Sequence, residues 1–506
     1  MRTRVLLLLL FLSLPAPRMF AQTGTPVPYD PQRKIPAASL REDFALLTKA
    51  LRELHPSLYL YTPQDTLDAV FDRTLASLNT PLTEQEFINR IYPAISLIRC
   101  GHTQLKHSEA YRNSPLRPKA VKLPFDVFVR EERAWIIAKP DQGADPKTGE
   151  ELLSLNGVPT PELVRAGRRI WSADGYNTTW NEFFLNEYDF FEDLCWQYYG
   201  WRGPYTLSLR DRQGAVRTLT VPATPARPAQ PPAAKDGLKT NPAKKPVPPK
   251  EEGGKSHLRL QFADSLSAAV LTVNGLEYGD FSFYAQSFRQ IADKGSRNLI
   301  LDIRRNHGGD IRIITELMSY LADSSFVMLQ GLLAKTEEPD RNPYAAYFNA
   351  GRTESHRSGY GKGVPAGNLF RLELKPGLDH LEKPILPAGK GRFRGPVYVL
   401  IGGGTFSSTG IFAAALKAQR RRVVFVGQET GGGEKNCGGG TNQEFTMPRT
   451  GVVLIFPWMR MVSVSRTAVT GRGVMPDHPV QDSAEAATAG QDLELQKALE
   501  LIRTGK

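Results

Sequence analysis

Cysteine is scarce in this 506-residue chain: Cys100, Cys195 and Cys437 are the whole supply. Three thiols cannot build a disulfide scaffold; they allow one bridge or none. No Cys-x-x-Cys or His-Glu-x-x-His spacing occurs, so no metal is expected, structural or catalytic. Long apolar runs are also missing. The longest, residues 5–14 in "MRTRVLLLLLFLSLPAPRMFAQ", falls short of the roughly 20 residues that span a bilayer. Its basic start, apolar centre and small Ala21 have the layout of a signal peptide covering 1–21. An exported protein is therefore expected (periplasmic, cell-envelope or secreted), with no integral membrane span after cleavage. A dense basic helix is absent as well. The net charge of +12 includes Arg2, Arg4 and Arg18 in the leader and a surplus of four in 223–255, which leaves +5 for the body. Nucleic acid is not an expected partner.

What is present implies two or three domains. Residues 30–115 read as a helical N-terminal domain. Leu40, Phe44, Leu47, Leu51 and Leu54 recur near the helical period, and Thr83 with Glu86 has the spacing of a capping box. Residues 118–221 alternate as strands: "LPFDVFVREERAWIIAKP" and "YTLSLRDRQGAVRTLTV" are expected hairpins, and "GEELLSLNGVP" a strand and turn. An insertion at about 168–201 carries twelve aromatic residues, enough to fill a core of its own or to grip apolar peptide side chains. Residues 222–256 are rich in Pro, Ala and Lys with almost no large apolar residue, the composition of a disordered linker.

From 257 to 485 strands alternate with helices, the pattern of an α/β domain with mainly parallel strands, and 486–506 reads as a C-terminal helix. The helix "FSFYAQSFRQIAD" is expected to bury Phe281, Tyr284, Phe288 and Ile291 on one face. Two glycine-rich loops, 306–310 and 402–410, fall at carboxyl ends of strands, where sites collect in such sheets. "GGGTFSSTG" lacks the Lys of a phosphate loop, and "NHGGDI" has too few glycines for a dinucleotide fold, so no organic cofactor is expected. A serine nucleophile fits a strand, sharp turn and helix start, with helix-terminal amides beside it for an oxyanion. Ser407 and Ser408 are the candidates, and His102 in "CGHTQL" is a candidate base. The competing reading makes the serine an N-cap and the histidine structural.

Four motifs in order resemble the C-terminal processing peptidases and their tricorn-like relatives: "LILDIRRNHGGD", "GGGTFSSTGIFAAAL", "VVFVGQETGGG" and "GRGVMPDHPV". "GEELLSLNG" more weakly resembles a PDZ strand, which makes 118–221 a PDZ-like β domain by resemblance. The resemblance implies Ser407 as nucleophile, the Ser408 amide as one oxyanion donor and Gly308 or Gly309 as the second. It assigns Asp302 and Arg304 to holding their loop. Ser–Lys members of the family carry Lys where this chain has Gly433; Lys435 lies two residues beyond and is the alternative base. The tricorn-like Ser–His branch takes a histidine from the N-terminal part, which points to His102. That branch also uses a Glu near the place of Thr470, where no carboxylate stands; Thr103, Glu444 and Asp477 are the candidates to orient His102. The expectation is an exported serine endopeptidase acting on protein or peptide substrates through an acyl-enzyme. The missing Lys and Glu motivate the alternative, a peptide-binding protein that has lost catalysis on the same scaffold.

Overall fold

The fold was obtained as a computed structural model, which describes residues 28–139, 145–225 and 257–505. The expected signal segment and nearly all of the expected linker lie outside the described residues.

Three helices open the described chain: α1 (Ala37–Leu54), α2 (Gln64–Ser77) and α3 (Glu84–Ser96). The five periodic residues of α1 are all buried. At α3 the capping box forms as its spacing predicts, with the Thr83 hydroxyl accepting from the Glu86 amide and the Glu86 carboxylate from the Thr83 amide. After α3 the chain turns through Cys100–Thr103 into a short strand, β1 (Gln104–Lys106).

The middle of the chain is an antiparallel sheet in the order β2 (Phe125–Arg130), β3 (Arg133–Ala138), β4 (Glu151–Leu155), β5 (Tyr205–Arg210) and β6 (Val216–Val221). The first hairpin turns at Glu131 and Glu132, both at positive φ (48° and 65°), which matches the twist of the flanking strands. Helix α4 (Thr160–Arg169) buries Leu163 and Val164 against this sheet, and α5 (Thr179–Glu187) lies within the aromatic insertion.

The last part holds two sheets. One has the order β7 (Leu258–Ala263), β8 (Ala268–Val273), β9 (Asn298–Asp302), then, further along the chain, β13 (Val397–Ile401), β14 (Val423–Gly427) and β17 (His478–Pro479). Its pairs are parallel from β8 onward, and β7 adds antiparallel at the edge. Alternation along the strands splits the side chains between two layers. Leu299, Leu301, Val397 and Val399 face a core built with α6 (Asp280–Asp293), α7 (Ile311–Leu321) and α8 (Ser408–Gln419); Ile300, Tyr398, Leu400 and Val426 face α9 (Leu493–Thr504). Tyr284, Phe288 and Ile291 of α6 are buried as expected, but Phe281 is exposed, because it lies in the first turn beyond the edge of the core.

The second sheet is antiparallel and has no counterpart in the sequence reading. It comprises β10 (Leu329–Ala334), β11 (Tyr360–Ala366), β12 (Leu369–Leu374), β15 (Asn436–Thr446) and β16 (Val453–Ser463), with β1 paired to β16. The N-terminal helices close on this sheet: Phe44, Leu47 and Phe87 share one core with Phe445, Leu454, Phe456 and Trp458. That shared core brings a residue near position 100 to a loop after position 400.

Candidate active site

Two loops leave neighbouring parallel strands at their carboxyl ends. After β9 the chain runs through Asn306 to Gly308 and Gly309; after β13 it runs through Gly402–Gly404 to Ser407. Asn306, fully buried, ties them together. Its Oδ1 accepts from the Gly308 amide and the Thr409 hydroxyl, its amide donates to the Val273 carbonyl, and its carbonyl accepts from the Phe406 amide. Close approach explains one of the three glycines directly: a Cβ on Gly403 would fall 2.1 Å from the Thr179 carbonyl oxygen.

Ser407 sits at φ 54° and ψ −128°, a sparsely populated conformation for a residue with a Cβ. Strand, strained turn and helix start form the geometry that exposes a nucleophile. Ser407 precedes α8 at the N-cap position, yet its hydroxyl makes no capping hydrogen bond. Instead Ser407 Oγ lies 3.0 Å from His102 Nε2, across 305 positions of sequence. The His102 ring stacks on Phe406 (centroids 4.6 Å), and Phe406 stacks on Trp180 of α5 (3.9 Å). Burial holds His102 down to a pKa of about 4, so the imidazole is neutral and able to accept a proton at neutral pH.

The remaining expected residues fall as follows. The Ser408 amide is the first of α8 and has no intrahelical acceptor. The Ser408 hydroxyl accepts from the Gly309 amide at 3.0 Å, and the Gly308 amide is engaged by Asn306 Oδ1 at 2.9 Å. Lys435 Nζ donates to the Ala468 carbonyl at 2.9 Å and makes no bond to Ser407. Thr103 Oγ1 bonds His55 Nε2, Glu444 pairs with Arg352, and Asp477 pairs with Lys417; none of the three bonds His102. Arg304 binds Asp302, Asp492 and Glu494, joining the loop after β9 to the start of α9. All three cysteines are free and buried.

Two features escaped the sequence. The aromatic insertion fills neither a private core nor a free surface alone: Trp180 and Phe184 cluster with Phe406, the residue before Ser407. Asp174, inside that insertion, is buried beside His102; one carboxylate oxygen, a His102 ring nitrogen and Cys100 Sγ lie within 4.8 Å of one another. These three are the group among the described residues whose donors converge closely enough to hold a metal ion. Both Asp174 oxygens already accept backbone amides. No sequence motif marks an isolated Asp of this kind.

Gly308 offers a direct test of how tightly the loops are fitted. Its φ is +89°, and a Cβ there would fall 2.7 Å from Ser407 Cβ. Gly308→Ala should lower kcat at least about 100-fold, since misplacement of about 1 Å carries that cost. Steady-state kinetics with a folding control by circular dichroism checks it.

The arrangement can transfer an acyl group: a hydroxyl, a neutral imidazole and the helix-terminal amide of Ser408 converge. Residues 268–480 match the family model described as peptidase family S41. Mature CPAF is similar in structure, at 16% identity and a TM-score of 0.63 over 92% of this chain and 97% of that one. CPAF complexed with lactacystin aligns at 17% identity and a TM-score of 0.61, covering 92% and 98%. No curated protein gives a significant match to the chain. Over residues 268–480 the chain is therefore similar to peptidase family S41, and its fold is similar to that of the CPAF structures.

Proposed function

We propose that this chain is an exported serine endopeptidase that cleaves proteins or peptides through an acyl-enzyme, with Ser407 as nucleophile and His102 as base. The observation that carries the reading is the 3.0 Å approach of His102 Nε2 to Ser407 Oγ. His102 takes the Ser407 proton as the alkoxide attacks a peptide carbonyl, then protonates the leaving amine; water clears the acyl group. The Ser408 amide donates to the oxyanion. Gly309 adds a second donor when the Ser408 hydroxyl rotates away, and Gly308 stays engaged by Asn306. Each such donor supplies roughly 3–4 kcal/mol of barrier reduction. The sheet from β2 to β6 serves as a PDZ-like module that presents the peptide. Export rests on the layout of residues 1–21.

The test is covalent labelling by a fluorophosphonate probe together with cleavage of an unfolded polypeptide. Wild type should label and cleave, and Ser407→Ala should do neither. Equal behaviour of the two proteins, with no labelling, would instead favour the peptide-binding alternative. Lactacystin, the ligand in one CPAF structure, is a second probe of the same serine.

A further inference from the structure

The bond between Ser407 and His102 accounts for only one nitrogen of the imidazole. With Nε2 accepting from Ser407, as the proposed mechanism requires, the ring proton lies on Nδ1, which is buried without a hydrogen-bond partner. When His102 takes the serine proton, a positive charge forms on a ring that is only 8% exposed. A buried cation without a counter-charge is costly. The carboxylate expected near Thr470 does not exist, and Thr103, Glu444 and Asp477 are all engaged elsewhere.

Asp174 stands in the required place. It is 4% exposed and has an oxygen within 4.8 Å of a His102 ring nitrogen. Its Oδ1 accepts from the Gly101 amide at 2.7 Å, and its Oδ2 from the Gly433 amide at 3.2 Å. Gly101 precedes the base in the chain; Gly433 occupies the position where the resemblance puts the Lys of Ser–Lys members. The neighbouring residues fix the carboxylate, with the Gly175 amide donating to the Arg99 carbonyl and the Tyr176 amide to that of Gly471.

We propose that Asp174 is the positioning residue of His102: its carboxylate compensates the imidazolium formed during acylation, and its two amide bonds fix the backbone that carries the ring. This rests on the Ser407–His102 reading above. The proton moves from Ser407 Oγ to His102 Nε2; Asp174 receives none. The other titratable groups facing Asp174 are the Cys100 and Cys437 thiols and the Tyr61 phenol, all pushed up by burial and therefore uncharged at neutral pH. Arg460 faces Tyr61 and His55. Asp174 is accordingly the counter-charge for His102.

The sign of the pH dependence follows. Burial raises Asp174 to about 6, only partly offset by its two amide bonds. The carboxylate is ionised above that pH, and activity falls as pH drops through it. Asp174→Asn removes both this step and the counter-charge. It should lower kcat roughly 10²–10⁴-fold, by analogy with loss of the orienting carboxylate in a serine-protease triad. KM should change little, and the acid limb of the pH profile should move to lower pH. An equal loss of activity with an unmoved limb would reduce Asp174 to a structural clamp, and unchanged kinetics would remove it altogether; either result overturns the proposal. If the Asn variant fails to fold, wild type decides. In 15N-histidine-labelled, phosphonylated enzyme, His102 should be an imidazolium at neutral pH, and a neutral ring overturns the proposal. A wild-type protein that neither cleaves nor labels sinks the peptidase reading itself, and this inference with it.

Discussion

His102→Ala should lower kcat by roughly 10⁴–10⁶-fold, the cost of removing the base of a Ser–His pair, whereas Lys435→Ala should leave kcat within a few-fold of wild type. Serine is inert at its free pKa and gains nucleophilicity only from an adjacent base. His102 Nε2 is at hydrogen-bond distance, and burial keeps the ring neutral down to a pH of about 4. Lys435 instead spends its ammonium on the Ala468 carbonyl. Its use as a base would require the loop after Gly433 to reverse, yet the Gly433 amide is held by Asp174 and the Glu434 amide by the Arg472 carbonyl. The check is steady-state hydrolysis of a fluorogenic peptide by both variants, each shown to be folded by thermal unfolding. KM should be nearly constant in both, because neither change touches ground-state binding. A large loss in Lys435→Ala with a small one in His102→Ala would reverse the assignment.

Arg304→Ala should destabilise the protein by roughly 3–5 kcal/mol, the cost of leaving buried charges unpaired. Its guanidinium bonds Asp302 at 2.7 Å, Asp492 at 2.7 Å and Glu494 at 2.5 Å. Without it, acidic groups from β9 and the start of α9 face one another around a largely buried void. The cation holds Asp302 below the usual carboxylate range. In wild type this pair therefore contributes stability at pH values above the ordinary Asp pKa and loses it as pH falls through the depressed one. In the variant the sign inverts, because protonation relieves the repulsion, so the gap between the two proteins should narrow as pH falls. Urea unfolding at pH 7 and at a pH below the ordinary Asp pKa measures both statements. Asp302→Asn in the Arg304→Ala background should recover part of the loss. An unchanged midpoint at pH 7 would remove Arg304 from the account of how the loop after β9 is held.

The geometry also explains why the serine turn reads ambiguously. "GGGTFSSTG" before a helix is what an N-cap looks like, and Ser407 does occupy that position. Its hydroxyl is turned away from the helix by the positive φ and toward a ring contributed by the far end of the chain. Ser408, the neighbour that a cap reading would treat as equivalent, spends its hydroxyl on the Gly309 amide. Two adjacent serines thus differ in role for a reason that depends on the loop after β9, a separate segment of chain.

By itself the sequence determined the local elements. Helical periodicity specified α1 and α6, Thr83 and Glu86 specified the start of α3, and period-two alternation specified the β2–β3 and β5–β6 hairpins, because each depends on residues within a few positions of one another. It also placed the two glycine loops at strand ends, and the order of four motifs singled out Ser407. Tertiary structure decided the rest. The antiparallel second sheet, the shared core of the N-terminal helices with β15 and β16, the stacking of Trp180, Phe406 and His102, and the burial of Asp174 beside His102 all join residues far apart in the chain. No local pattern encodes such contacts. The proposed roles of His102 and Asp174 depend on burial and distances that only folding sets.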